Sequence, residues 1–197
     1  MMMKNKIIIG ISGKIGSGKT TFSNLLAENL QKNYKVRFIN FADKLKEICF
    51  ILTGHRGLTQ EDKQVFLPDW NKTVGQILQQ LGTEVMRDNF DSDVWVKSTL
   101  SEIKRDEETD IFIIGDCRFE NEANAIKNSG GILFRINGDP ANIRKNSTRD
   151  LNHASETSLD NYDKFDYIME NNSTIDDLSK WSISFADYIS KLKTEQN

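Results

Sequence analysis

Residues 7–21 carry a motif that specifies a local fold and a local chemistry together. An apolar run, Ile7 to Ile11, leads into residues 13–20, which read GKIGSGKT and match the phosphate-loop pattern GxxxxGK[ST] in full. The pattern needs a buried strand before it and an amphipathic helix after it, and the flanking residues predict both. A glycine-rich turn with a surface lysine is the weaker alternative, because position, flanks and fixed residues all agree with the motif.

The residue types in this loop suit the binding of a triphosphate. Glycines let successive backbone N–H groups approach and surround an anion. Lys19 is placed to reach the β and γ phosphates, and the Thr20 hydroxyl is a candidate Mg²⁺ ligand. The following helix directs its positive N-terminal end at the same anion. The predicted nucleotide-binding residues are Gly13, Lys14, Gly16, Ser17, Gly18, Lys19, Thr20 and Thr21.

Size and composition predict one ordinary domain. The chain has 197 residues, of which 38% are hydrophobic and 28% charged, and its net charge of −3 gives no general attraction to nucleic acid. Cys49 and Cys117 lie far apart, which predicts neither a disulfide framework nor a zinc site. The apolar run after the N-terminus is too short for a signal peptide or a membrane span, so we expect a cytosolic protein without a membrane partner.

Strand-like and helix-like patterns alternate along the chain. The predicted strands are 7–11, 36–41, 111–116, 132–136 and 165–169, and the predicted helices are 18–31, 43–52, 74–85, 92–104, 120–129 and 174–192. This order is typical of a three-layer α/β fold of the P-loop NTPase type, with a parallel sheet of about five strands flanked by helices. We expect a single domain over residues 1–197, with Asp43 as an N-cap and Thr174 as another.

Two polar segments interrupt this alternation. Residues 54–72 predict a substrate-binding insert with a short helical piece, and residues 139–152 predict a lid-like loop that carries Arg144, Lys145 and Arg149. An ordinary solvated loop is nearly as good an interpretation of the second segment. Lys44 and Lys46 begin a helix where cations are unfavourable, so either an anion binds there or both lysines are solvated.

The strand at 111–116 delivers Asp116 to its carboxyl end, where open α/β sheets collect their functional groups. This arrangement is typical of a Walker B strand. Asp116 is a candidate for the Mg²⁺ shell or for substrate orientation, and Arg118 would face the same crevice. A turn-forming aspartate after a strand is the structural alternative.

Several segments behind the phosphate loop occur in the order of a known family. Residues 78–84 read LQQLGTE, residues 94–97 read VWVK, residues 116–122 read DCRFENE and residues 153–156 read HASE. Together they resemble the bacteriophage deoxynucleoside monophosphate kinases, over most of the chain. The resemblance implies a phosphotransferase that moves the ATP γ-phosphate to a deoxynucleoside monophosphate, with Mg²⁺ as cofactor, in the cytoplasm of the host where the gene is viral.

Residue roles follow from this resemblance. The implied acceptor-binding residues are Leu45, Lys46, Gly82, Thr83, Trp95, Asp116, Arg118 and Glu122, although a tryptophan at position 95 is more often a core residue. The predicted catalytic residues are Lys19, Asp116, Arg118, Arg144 and Arg149, and the predicted metal ligands are Thr20 and Asp116. Lys19 and Thr20 follow from the phosphate-loop pattern, and the lid arginines follow from the need for cations in phosphoryl transfer. No general base is required, because the attacking oxygen belongs to an ionised phosphate.

The sequence departs from the family pattern at one position, and two other functions are compatible with it. Relatives tend to carry an arginine before the LLQ-LGT segment, whereas this chain has Gly75 there, and Arg56 or Arg87 is a candidate replacement. A kinase of another small acceptor, such as dephospho-coenzyme A, would share the fold. A nucleotide-binding switch protein without an acceptor is the other alternative. A homodimer is an expectation of the resemblance alone.

Overall fold

The computed structural model describes residues 6–146, 154–172 and 174–195 of the chain. The strands in chain order are β1 (Ile7–Ser12), β2 (Val36–Phe38), β3 (Phe66–Leu67), β4 (Lys72–Thr73), β5 (Ile111–Cys117), β6 (Ile132–Asn137) and β7 (Tyr167–Glu170). The helices are α1 (Lys19–Leu30), α2 (Asp43–Thr53), α3 (Gln60–Gln64), α4 (Val74–Gln79), α5 (Met86–Asn89), α6 (Val94–Arg105), α7 (Glu120–Asn128), α8 (Ala154–Thr157) and α9 (Ile175–Glu195). Short 3-10 turns occupy Pro68–Trp70 and Ile143–Asn146, and Gln80–Val85 is π-helical.

The chain divides into two compact units. The sheet unit comprises Met1–Asn40 and Lys104–Asn197, and the helical unit comprises Phe41–Ile103. The predicted insert at 54–72 lies within the helical unit, where it forms α3, the 3-10 turn and the β3–β4 hairpin.

The sheet unit is built on a five-stranded parallel sheet in the order β2-β5-β1-β6-β7. Every residue of β1 is buried, which explains its continuous apolar sequence, because a central parallel strand is covered on both faces. All carboxyl ends lie at one edge, so the phosphate loop after β1, Asp116 in β5 and the loops after β6 and β7 gather there. The predicted parallel α/β sheet is confirmed.

Aromatic and aliphatic side chains fill the core on the α1 and α9 face of the sheet. Phe22 of α1 packs against Phe134 of β6, with ring centroids 5.7 Å apart, and Phe185 of α9 packs edge-on to Phe134 at 4.8 Å. Phe22 and Phe134 are fully buried. This packing fixes α1, and therefore the end of the phosphate loop, against the sheet.

The helical unit has a small core of its own. Cys49 of α2 and Val74, Ile77 and Leu78 of α4 are buried together. Thr73 caps α4, because its hydroxyl accepts the Gln76 N–H while the Gln76 side chain accepts the Thr73 N–H. After Gln79 the helix widens into the π-helical segment, which contains the Gly82-Thr83 pair.

Four predicted details were wrong: three concern the ends of elements, and one concerns which face of a helix is buried. Strand β2 stops at Phe38 because the Asn40 side chain, rather than a strand carbonyl, accepts the Gly115 N–H. Strand β7 begins at Tyr167 because the Asp166 carboxylate accepts the Leu133 N–H just before it. Ala42, not Asp43, is the N-cap of α2. Val85 is 44% exposed because the π turn rotates it away from the predicted apolar stripe.

Candidate active site

The phosphate loop depends on glycine at two positions for both conformation and space. Gly16 and Gly18 have φ angles of 78° and 86°. A Cβ atom on Gly16 would lie 2.4 Å from Oδ1 of Asp139, and one on Gly18 would lie 2.4 Å from Nδ2 of Asn171. The Asn171 amide donates to the Ser17 carbonyl at 3.0 Å. Side chains that follow β6 and β7 therefore pack against the loop.

The start of α1 has the character of an anion site. Its first turn contains no acidic residue, and Gly18 offers no side chain to cap it. The first N–H groups of a helix lack partners within the helix and carry a partial positive charge. Lys19 donates to the Lys14 carbonyl at 3.3 Å, so its ammonium lies at the loop, while Thr20 and Thr21 are exposed. The predicted nucleotide-binding residues are thus brought together.

A groove of about 400 Å³ opens beside this helix terminus. The phosphate loop and α1 form one wall, and residues after β6 and β7 form the other. The second wall consists of Pro140, Ala141, Ile143, Asn171, Thr174, Ile175 and Leu178. Pro140, Ala141 and Ile143 belong to the predicted lid-like loop at 139–152, but sequence reasoning named none of the seven residues as a nucleotide contact. The signal that would have found them is their position in the segments that follow the carboxyl ends of parallel strands, where ligands of open α/β sheets bind.

Asp116 lies near the carboxyl end of β5 and is half-buried. Its neighbour Cys117 pairs in register with Ser12, the last residue of β1, so Asp116 is close to the base of the phosphate loop. The described residues contain no group of three or more His, Cys, Asp or Glu side chains placed to hold a metal.

Two carboxylates hold Arg118: one accepts from its backbone N–H and the other accepts from its guanidinium. Its N–H donates to Oε2 of Glu122 at 2.8 Å, and the Phe119 N–H donates to the same oxygen at 3.2 Å. Glu122 is 2% exposed, so its carboxylate serves the turn that leads into α7. The Arg118 guanidinium donates to Oε1 of Glu156 at 2.6 Å and to the Ser155 carbonyl at 3.3 Å.

Glu156 also contacts the phosphate loop. Its second oxygen, Oε2, accepts the Ile15 N–H at 3.0 Å. Burial raises the pKa of this carboxyl, but the hydrogen bonds from Arg118 and Ile15 and the charges of Arg118 and Lys19 outweigh burial and leave the pKa below its usual value. Sequence reasoning assigned no role to this residue.

The predicted lid-like loop lies among the described residues as far as residue 146. The Asp139 carboxylate accepts the N–H groups of Ile143 and Arg144, at 2.9 and 3.0 Å, and so holds the 3-10 turn. The Arg144 guanidinium donates to the Ile15 carbonyl at 2.9 Å and to the Gly138 carbonyl. Arg144 lines a second cavity, of about 380 Å³, together with Lys14, Arg135 and Asp160. Arg149 and His153 lie outside the described residues.

In the helical unit, three of the residues implied in acceptor binding meet. A Cβ atom on Gly82 would lie 2.6 Å from Cδ2 of Leu45, so the two residues are in close contact. The Trp95 indole donates to the Gly82 carbonyl at 3.0 Å, and Trp95 is 3% exposed. Thr83 follows on the exposed side, and Lys46 lies 3.9 Å from the Asp43 carboxylate. In this structure Trp95 is a core residue that fixes the Gly82 carbonyl.

Three further cations of the helical unit were candidates for anion binding. Lys44 pairs with Glu47 at 2.9 Å and with Glu102 at 3.2 Å. The hydrogen bond to Glu47 raises the pKa of Lys44 most, and the hydrogen bond to Glu102 raises it further. The Arg56 guanidinium lies 4.6 Å from the centre of the Phe50 ring. Arg87 lies in α5, which continues the π-helical segment.

The chain is similar in sequence and in fold to known kinases. A family profile described as deoxynucleotide monophosphate kinase matches residues 55–181. A protein of Acanthamoeba polyphaga mimivirus, provisionally named deoxynucleotide monophosphate kinase, is 30% identical over 205 residues, which cover 94% of this chain and 99% of that protein. Among solved structures, shikimate kinase from Aquifex aeolicus is 15% identical with a TM-score of 0.53, covering 95% of this chain and 99% of its own. Shikimate kinase from Bacteroides thetaiotaomicron is 17% identical with a TM-score of 0.51, covering 94% and 98%.

The sheet order and the phosphate loop define a fold of the P-loop NTPase type, and the similarities to solved kinase structures support that fold alone. The family profile and the viral relative go further. The chain belongs to the deoxynucleotide monophosphate kinase family and is a phosphotransferase. Among the residues that the structure describes, no helix has the length and apolarity needed to cross a membrane.

Proposed function

We propose that this protein transfers the γ-phosphoryl group of ATP to a deoxynucleoside monophosphate and releases ADP and the diphosphate. The observation that carries the proposal is membership of the deoxynucleotide monophosphate kinase family in a chain whose phosphate loop is complete. The groove beside α1 gives this loop room for the rest of a nucleotide.

ATP is assigned to the groove of the sheet unit. Its phosphates lie against the N–H groups of the loop and the start of α1, with Lys19 beside them. Its base and sugar occupy the space between α1 and the apolar residues Pro140, Ile143 and Ile175. The exposed Thr174 supplies a polar group at the same wall. This division matches the chemistry of a nucleotide, which has a charged end and a largely apolar end.

The acceptor nucleotide is assigned contacts with both implied sets of residues. In the helical unit these are Leu45, Lys46, Gly82 and Thr83. Trp95 fixes the Gly82 carbonyl through its indole N–H. In the sheet unit, Asp116 and Arg118 contact the reacting phosphates, and Glu122 fixes the turn that carries Arg118. Arg56 and Arg87 are the candidates to replace the arginine missing near Gly75.

Catalysis in this scheme is positioning and charge stabilisation. Phosphoryl transfer passes through a loose transition state with negative charge on the moving group, so cations at fixed positions lower the barrier. Lys19 donates to a carbonyl of the loop, and Arg118 is linked to the loop through Glu156. Arg144 and Arg149 are assigned to the same charge, and Arg144 would first leave its hydrogen bonds to the Ile15 and Gly138 carbonyls. The acceptor phosphate is ionised already and needs no general base.

Mg²⁺ is assigned to Thr20 and Asp116. The donor set fits the ion, because Mg²⁺ prefers oxygen and is commonly held by one or two protein groups together with substrate phosphates. When bound, the ion would neutralise phosphate charge. The cytoplasm, that of the host for a virus-encoded protein, is the proposed location, and a homodimer is the proposed assembly.

The test mixes purified protein with ATP and Mg²⁺ and offers each common deoxynucleoside monophosphate, ribonucleotides, dephospho-coenzyme A or no acceptor, with ADP followed by a coupled assay. We expect ADP only with particular deoxynucleoside monophosphates and none with Lys19→Ala. ADP formed only with dephospho-coenzyme A would favour the other-acceptor kinase. ATP binding without acceptor-dependent ADP would favour the switch protein.

A further inference from the structure

Glu156 is a buried carboxylate that the proposed chemistry does not yet use. It is 5% exposed and lies in α8. One oxygen accepts from the Arg118 guanidinium at 2.6 Å, and the other accepts from the Ile15 N–H at 3.0 Å. A single side chain therefore joins the residue that follows β5 to the middle of the phosphate loop.

The carboxylate is bound in its ionised form. A buried charge is stable only where it is paired and hydrogen-bonded, and both conditions hold here. Charge-assisted bonds from a guanidinium are shorter and stronger than neutral ones, which agrees with the 2.6 Å separation. A neutral acid at this position could not accept both bonds equally well.

The segment around Glu156 is attached to the same loop at a second point. Asp160, four residues later, accepts from Lys14 at 2.6 Å and from Arg135 at 2.9 Å. The Ser155 carbonyl accepts from Arg118. Residues 155–160 thus contact Lys14 and Ile15, two consecutive residues of the loop, and Arg118, so the position of Glu156 is determined by more than its own side chain.

We propose that Glu156 is a positioning residue for phosphoryl transfer, which holds the Arg118 guanidinium and the Ile15 N–H at a fixed separation from the phosphates. The inference rests on the proposed function and adds to it a residue that touches neither nucleotide. Without the carboxylate, the long Arg118 side chain can adopt other rotamers, and the Ile15 N–H loses its acceptor. Misplacement of a catalytic group by about 1 Å is enough to reduce turnover by about 10²-fold.

The test compares Glu156→Gln with wild type. Glutamine keeps the size of the side chain but removes its charge and one acceptor. We expect kcat to fall about 10- to 100-fold, because Glu156 positions the Arg118 guanidinium, which is assigned to the transferring phosphoryl group. The KM values of both nucleotides should stay within about threefold of wild type. Glu156→Asp keeps the charge and should recover part of kcat. Glu108→Gln, at an exposed glutamate 85% accessible in its side chain, is the matched control and should leave kcat unchanged.

A double-variant cycle identifies the residue through which Glu156 acts. In an Arg118→Ala background, Glu156→Gln should lower kcat by less than about threefold, because no guanidinium remains to be positioned. The Ile15 amide resonance, in protein labelled with ¹⁵N-isoleucine and assigned with Ile15→Val, should move in Glu156→Gln while the Ile113 resonance does not. That measurement needs no catalysis, and thermal melting confirms that the variants are folded.

Two different failures can be told apart. Wild-type kcat in a folded Glu156→Gln variant overturns this inference while the kinase activity of the wild type still stands. So does an equal loss with and without Arg118 together with an unmoved Ile15 amide resonance, because neither partner of the carboxylate would then carry the effect. Absence of acceptor-dependent ADP formation in the wild type instead overturns the proposed function.

Discussion

The phosphate loop and the Gly82-Thr83 turn are both implied in nucleotide binding, but they are held in different ways. Polar side chains from three distant segments fix the loop: Asn171 binds Ser17, Glu156 binds Ile15, and Arg144 binds the Ile15 carbonyl. The Gly82-Thr83 turn depends on close packing of Leu45 and one hydrogen bond from Trp95. Charge and hydrogen bonds determine the first region, and shape determines the second, so substitutions should affect the two substrates separately.

The largest expected effect is at Lys19. Lys19→Ala removes the ammonium from the phosphates and should lower kcat on the order of 10³-fold, the loss expected for a well-placed cation in phosphoryl transfer. Lys14→Ala is the comparison, because Lys14 belongs to the same loop but pairs with Asp160 in this structure, and it should cost less than about tenfold. Steady-state assays measure both, and equal losses would contradict the separate roles.

Gly82→Ala should affect the acceptor alone. The added Cβ would lie 2.6 Å from Leu45 and force the packing to change, at a cost of about 1–3 kcal/mol. We expect the KM of the acceptor to rise about tenfold while the KM of ATP changes less than about twofold. Gln79→Ala, at an exposed position of the same helix, is the control. A rise in the KM of ATP instead would remove the distinction between the two regions.

Ile175→Ala should affect ATP alone. Ile175 is 69% exposed and lines the groove beside α1, where a bound base would cover it. Loss of this apolar contact should raise the KM of ATP about three- to tenfold and leave kcat near wild type, since each buried methylene contributes about 0.8 kcal/mol. Ile183→Ala, at another exposed isoleucine of α9, tests for a general effect of the helix. An unchanged KM for ATP would contradict the assignment of the groove.

The smallest effects concern charge and stability in the two units. Burial raises the pKa of Asp106, but hydrogen bonds from Thr109, Arg37 and Glu108 outweigh it and lower the pKa to about 2. A depressed carboxyl pKa stabilises the fold above the unfolded value of 3.8, and this contribution is lost as pH falls through about 2. Asp106→Asn should therefore cost about 1–2 kcal/mol at pH 7, after allowance for solvent screening, and progressively less below pH 4.

The Lys44 pair in the helical unit provides the contrast. Lys44 is 35% exposed in its side chain, and exposed ion pairs contribute little. Lys44→Gln should change the free energy of unfolding by less than about 0.5 kcal/mol at pH 7. Urea denaturation between pH 7 and pH 3 measures both variants, and a larger cost at Lys44 than at Asp106 would contradict the account.

Sequence alone predicted the parallel sheet and the phosphate loop, because strand burial and phosphate chemistry impose fixed residue types at fixed spacings. It predicted a lid-like loop at 139–152 but not that this loop meets the start of α9 in the second wall of the groove, since Pro140 and Ile175 are 35 residues apart by numbering and meet only through the sheet order. It placed Trp95 against an acceptor or in the core, and burial places it in the core here. The π-helical turn at Gly82 leaves no periodic pattern in the sequence. The hydrogen-bond partners of Glu156 are Arg118 and Ile15, which lie far from it in sequence, so no local pattern predicts their meeting.

Transfer of a phosphoryl group to a deoxynucleoside monophosphate can be followed through the labelled γ-phosphate of ATP. Protein is incubated with γ-labelled ATP, Mg²⁺ and each deoxynucleoside monophosphate in turn, and the products are separated. We expect label in a deoxynucleoside diphosphate for at least one acceptor, and no labelled diphosphate with Lys19→Ala. Label that appears only as inorganic phosphate, or stays in ATP with every acceptor, would contradict it.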